Sequence, residues 1–222
     1  MASMPRMALL LLLLLTPSLP AAPTTAPSSR IHEETRRILT EARRTWYSHR
    51  TIVDPSTGTY AVDCSGLVCI ILQEAAPAHL DAIPIAPGED RQRAVEFHDA
   101  FKAAATQPAN RAWRKIERIA DARPGDMIAW RRNVITPGQN TGHIVIVDQP
   151  PADEGNGLVR VSIIDSTSIA HHGDSRNASQ SGVGRGTMWF KTDQQGRPIG
   201  VLWSSPRQRP VILQIAVARA MD

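Results

Sequence analysis

Apolar residues first recur at a helical spacing between Ile31 and Trp46, at Ile31, Ile38, Leu39, Ala42 and Trp46. The spacing predicts an amphipathic helix over 31–46. Ser28 and Ser29 offer caps before it, and Glu33 and Glu34 suit the positive end of its dipole. A turn-rich loop follows at Val53-Asp54-Pro55-Ser56-Thr57-Gly58. Asp63 then precedes the apolar run Cys64 to Glu74, which predicts a second helix stopped before Pro77. A third helix is predicted over 91–106, with Ala94, Val95, Phe101 and Ala105 on its apolar side.

Past Arg123-Pro124-Gly125 the period shortens. Met127 to Trp130, His143 to Asp148 and Leu158 to Ile164 are short, rich in β-branched residues and bounded by turn residues. Thr187 to Lys191 and Ile199 to Trp203 flank Asp193-Gln194-Gln195-Gly196-Arg197-Pro198, which reads as a hairpin. Pro210 to Val217 predicts a last strand. Helices first and strands later predict an α+β domain with a mostly antiparallel sheet.

The first 22 residues change the picture. Arg6 precedes an unbroken apolar run from Met7 to Leu15, and small residues follow at Ala21 and Ala22. This is the layout of a signal peptide, too short in its apolar part for the ~20 residues that span a bilayer. Cleavage is expected near Ala21 or Ala22. Residues 23–30 read as a flexible leader and 31–222 as one domain, secreted or periplasmic, with no stable membrane insertion after cleavage. The formal charge of +4 falls to +3 when Arg6 is removed. No run of five like charges and no aromatic-basic stripe is present to support nucleic-acid binding.

Only two cysteines occur, Cys64 and Cys69. On one helix their Cα atoms would differ by about 7.5 Å in rise and face different sides. A disulfide needs Cα atoms within about 7 Å, so no internal bridge is expected. A free thiol in a secreted chain calls for a reason. Cys64 falls on the first helical turn, where free N–H groups and the dipole favour a thiolate. Asp63 can cap that turn, and Gly66 leaves room for a substrate backbone. Cys69 follows Leu67 and Val68 and reads as a small buried hydrophobe.

A nucleophilic thiol needs a base. Of the seven histidines, His143 alone opens an apolar strand, Ile144-Val145-Ile146-Val147, after Thr141-Gly142. Asp165 ends the next strand. If the two strands are antiparallel neighbours, Asp165 meets His143 and can orient its ring.

DCSGLV opening a helix, then RPGDMIAW, then TGHIVIVD, resembles the NlpC-type papain-like cysteine peptidases of bacterial cell walls. The resemblance covers about Trp46 to Asp165. It implies a papain-like fold with N-terminal helices packed on the sheet, Cys64 as nucleophile, His143 as base and Asp165 as third residue. It also implies a tyrosine near the oxyanion or the substrate, with Tyr47 and Tyr60 both open, and contacts from Asp63 and Ser65 to a free amine. The implied substrate is a peptidoglycan stem peptide, cut through an acyl-enzyme by a monomer without a cofactor. Acyl transfer on the same fold and a non-catalytic wall-binding module are the alternatives. No metal site is expected; His171, His172 and Asp174 lie close in sequence but in a polar loop. Gly182-Val183-Gly184-Arg185-Gly186 lacks the flanks of a phosphate loop, and the segment from His171 to Gly186 reads as a cleft-edge loop.

Overall fold

The computed structural model describes residues 25–107, 112–136, 138–177 and 179–222. The expected signal peptide lies outside them. Helix α1 runs Pro27–Glu41 rather than 31–46. Proline is well placed at a first helical position, and Pro27 and Ile31 are both buried, so part of the expected leader is helical. The helix stops at Glu41, and Arg44–Tyr47 forms strand β1 instead. That strand pairs in parallel with β3, Thr59–Val62, which also pairs with β2, Ile52–Asp54, across the predicted turn. Trp46, counted in the helical stripe, is 43% exposed. Pairing along β3 outweighs the local periodicity.

Helix α2 is Cys64–Ala75, close to its predicted bounds. Helices α3, Pro77–Asp81, and α4, Ala94–Ala103, follow. The remaining strands are β4 Trp113–Lys115, β5 Met127–Arg131, β6 Gly142–Val147, β7 Ala152–Gly155, β8 Leu158–Thr167, β9 Gly182–Thr192, β10 Pro198–Leu202, β11 Val211–Ile212 and β12 Gln214–Ala220. They form one sheet in the order β11-β10-β9-β8-β6-β5-β12-β4, with β7 beside β8, and every pairing in it is antiparallel. The fold is α+β, as the order of elements predicts. The single last strand expected over 210–217 is two: β11 pairs with β10, and β12 with β5.

Strands β5 and β6 alternate between two cores. Met127, Ala129, Ile144 and Ile146 face α1, α2 and α4, where Ile38, Leu67, Ile71 and Phe97 meet them. Ile128, Trp130, Val145 and Val147 face the other way, against Val159, Val161, Met188, Phe190 and Val201. A sheet covered on both faces needs continuous apolar strands, which is what β5 and β6 show.

The Pro124-Gly125-Asp126 motif is structural. Gly125 has φ +86, and a Cβ there would stand 1.9 Å from the Ser28 carbonyl oxygen. Asp126 is fully buried and receives both Nε and Nη2 of Arg219, at 2.8 and 2.7 Å. Burial pushes the Asp126 carboxyl up and Arg219 opposes it. We expect Arg219→Met to lower unfolding stability by about 3–5 kcal/mol in a urea titration, because one buried charge loses its partner. A loss under 1 kcal/mol would show that water reaches this pair.

Candidate active site

Asp63 caps α2: its backbone is extended and its Oδ1 accepts the Gly66 N–H at 2.7 Å. The cap leaves the Cys64 N–H without an intrahelical partner. Cys64 is 4% exposed, and both cysteines are free thiols. Cys69 is partly buried with its sulfur 3.7 Å from the Gln92 carbonyl, and burial pushes its thiol up to about 12. It is an inert packing residue.

His143 is the second residue of β6. A Cβ on the preceding Gly142 would lie 2.0 Å from the Trp130 carbonyl oxygen, so glycine allows the strand to start there. The imidazole packs against Trp130 and Trp203, with ring centres 5.1 and 5.3 Å away. Strands β6 and β8 are antiparallel with Ile146 opposite Ile164. Continued outward, that register sets Asp165 diagonal to His143 on the same face. The His143 Nε2 donates to Asp165 Oδ2 at 2.7 Å.

Asp165 is held from three sides. His171 Nε2 donates to the same Oδ2 at 2.9 Å, and Arg176 Nη2 donates to Oδ1 at 3.0 Å. An ionised carboxylate only accepts, so both imidazoles carry a proton on Nε2. For His143 that leaves Nδ1 as the nitrogen not bonded to Asp165. Burial pushes the His143 imidazole down, but the Cys64 charge and the bond to Asp165 overcome it, and it is raised to about 10. Burial pushes the Asp165 carboxyl up; the charges and hydrogen bonds of His171 and His143 hold it well below the ordinary carboxylate range.

His171 and Arg176 reach Asp165 because β9 gives way beneath them. Glycines 182, 184 and 186 fall on alternate residues, hence on one face of β9. A Cβ at Gly184 would meet Arg176 Nε at 2.4 Å, and one at Gly186 would meet His171 Cβ at 2.5 Å. The glycine-spaced segment is therefore half of a sheet strand, and the expected cleft-edge loop ends before it. The loop above is shaped by Asp174, which accepts the backbone N–H of His171 and of Arg176 and pairs with the Arg176 side chain. Bare glycine in a strand marks a place where another segment comes close, and that signal could have found His171 and Arg176. We expect Gly184→Val to displace Arg176 and cut turnover at least about tenfold while far-ultraviolet dichroism stays strand-rich. Unchanged turnover would remove Arg176 from any role in the site.

The two tyrosines separate. Tyr47 borders Cys64 and His143 pockets alike. Burial, then the Cys64 charge, pushes its phenol up, so it stays a protonated donor. Tyr60 is 1% exposed in the helix-side core, and its hydroxyl senses Arg37 and Glu41 on α1. It does not belong to the site. Asp63 and Ser65 line a pocket beside Cys64 of about 200 Å³. The Asp63 carboxylate is engaged there: Arg91 Nη2 donates to it at 2.6 Å, His49 Nδ1 lies 3.2 Å away, and Arg91 Nη1 donates to Ser65 Oγ at 2.7 Å. An incoming ammonium would meet a carboxylate already paired. The space at Gly66 is taken by Thr51 and Asp63 rather than left open to substrate. Arg91 carries no sequence pattern that marks it.

His143, Asp165 and His171 offer three possible metal-ligand atoms within 4.8 Å of one another. Each of those atoms is engaged in the two imidazole–carboxylate hydrogen bonds. His172 instead packs its ring on Trp189, apart from this set.

No family model, curated protein or solved structure matches the chain significantly. The NlpC-type resemblance thus stands on its three short motifs. Among the described residues no helix is long and apolar enough to cross a membrane.

Proposed function

We propose that the protein is a cysteine-dependent amide hydrolase. One observation carries the reading: a buried imidazole bonded to Asp165 through Nε2 senses the charge of Cys64, which stands at the capped end of a helix. A helix-borne thiol facing a sheet-borne His–Asp pair is the arrangement of NlpC-type papain-like peptidases. The motifs then favour peptidoglycan stem peptides as substrate, and the leader-like N-terminus favours a secreted or periplasmic monomer at the cell wall.

The Cys64 thiolate attacks the amide carbonyl carbon. Negative charge on the carbonyl oxygen is met by the Cys64 N–H and the Tyr47 hydroxyl. Nδ1–H of His143 gives its proton to the leaving nitrogen, and the C–N bond breaks to leave a thioester. Water then gives a proton back to Nδ1, attacks the thioester carbon and releases the acid with Cys64. Asp165 fixes the ring through both steps, and Arg176 and His171 fix Asp165.

Acid-quenched reactions with purified stem peptides test the reading. Mass spectrometry should find an acyl group on the peptide that contains Cys64, together with released amine. Amine release from an enzyme pre-alkylated at Cys64 would sink the proposal.

A further inference from the structure

The cleft has two lobes of opposite chemistry. The lobe beside Cys64 is lined by charged groups, among them Asp63, Glu89, Asp90, Arg91 and Arg93. The second lobe, about 350 Å³, is bordered by His143 and not by Cys64, and its walls are Trp130, Trp203, Ile169, Val211 and Leu213. Arg132 is the one fixed charge lining it among the described residues, and no carboxylate does. Tyr47, Asn140 and Gly142 border both lobes.

The apolar lobe is built in advance. Trp203 Nε1 donates to the Ile169 carbonyl at 3.1 Å, and its ring lies 4.3 Å from that of His171. Ile169 and Val211 line the lobe while 64% and 58% exposed, so they present aliphatic surface that an occupant would cover.

In thioester chemistry the acyl part stays on sulfur, and the amine leaves with a proton from His143. The departing group therefore lies against His143. We infer that the 350 Å³ lobe is the leaving-group subsite, and that it takes an amine bearing a large apolar or aromatic substituent without a positive charge. The inference rests on the proposed Cys64–His143 chemistry and departs from the stem-peptide substrate, whose amine parts are small, acidic or diamino residues. A cationic substituent would meet Arg132 with no carboxylate to pair with.

The reverse step reads the subsite directly. An amine nitrogen attacks the thioester carbon, the C–S bond breaks, the amine proton passes to His143, and Cys64 is regenerated. The intact protein is acylated with p-nitrophenyl acetate, and the acetyl group is partitioned between water and added phenylalaninamide, glycinamide, norleucinamide or lysinamide. At equal concentrations phenylalaninamide should capture about 10- to 100-fold more acetyl than glycinamide. Norleucinamide should exceed lysinamide, which is the same chain with an added ammonium. Val211→Asp and Ile169→Asp should each bring the phenylalaninamide-to-glycinamide ratio toward one. Equal capture of these two amines, with a normal burst on Cys64, overturns the subsite and leaves the nucleophile standing. Lysinamide matching norleucinamide overturns its charge preference. Absence of a burst overturns the chemistry beneath it, and a tryptophan-fluorescence titration with phenylalaninamide then decides the lobe alone: identical curves for the unmodified protein and Val211→Asp refute it.

Discussion

Cys64→Ala should fold and lose its amide hydrolysis, with amine release from stem peptides down at least about 10³-fold. In the proposed chemistry the sulfur is the atom that becomes acylated, and no second thiol can replace it. Cys69 sits five residues further along α2 with its thiol raised by burial. The loss of one small buried group should cost about 1 kcal/mol of stability, so thermal unfolding stays cooperative. Undiminished amine release in this variant would refute the nucleophile. A second readout follows from His143. Its folded value of about 10 lies above the ordinary 6.5, so the stabilisation it brings is whole below about pH 6.5 and is lost as pH rises toward 10. Cys64 is a leading cause of that rise. In Cys64→Ala the alkaline loss of stability should therefore be smaller and complete at lower pH, as melting temperatures between pH 6 and 10 would show. Superimposable pH profiles would mean that the imidazole does not sense Cys64.

Asp165→Asn should be nearly as damaging, with kcat down about 10²–10⁴-fold. The carboxylate accepts from three donors, and an amide cannot accept at both ends. Its NH₂ would face either the two imidazoles or Arg176. The first choice reverses the tautomer of His143; the second sets a donor against a guanidinium. Arg176 keeps Asp174 as a partner, so the stability loss should be about 3 kcal/mol rather than a failure to fold. The native Asp165 contributes stability that is present above the ordinary carboxylate range and is lost only when pH falls through its depressed folded value. Acid unfolding of Asp165→Asn should lack this contribution. Turnover within threefold of the unmodified protein would show that Asp165 serves the fold and not the ring.

The unbroken apolar runs of β5, β6 and α2 are local properties, and they determine those elements within a residue, whereas β8 runs three residues past its expected end, to Thr167. The placement of Cys64 behind a capping Asp63 is local as well, because a cap and the first turn are neighbours in the chain. The pairing of His143 with Asp165 was legible through one rule, that antiparallel neighbours bring opposite ends together.

What sequence could not decide depends on segments that meet only when the chain closes. Arg44–Tyr47 carries a helical stripe yet pairs with β3, because backbone hydrogen bonds to a distant strand outweigh a weak propensity. Tyr47 and Tyr60 are equivalent in sequence, and burial of one ring in the helix-side core separates them. His171 and Arg176 reach Asp165 only because Gly184 and Gly186 of β9 leave one face of that strand bare. A glycine records that something must approach, and only the folded sheet shows what does.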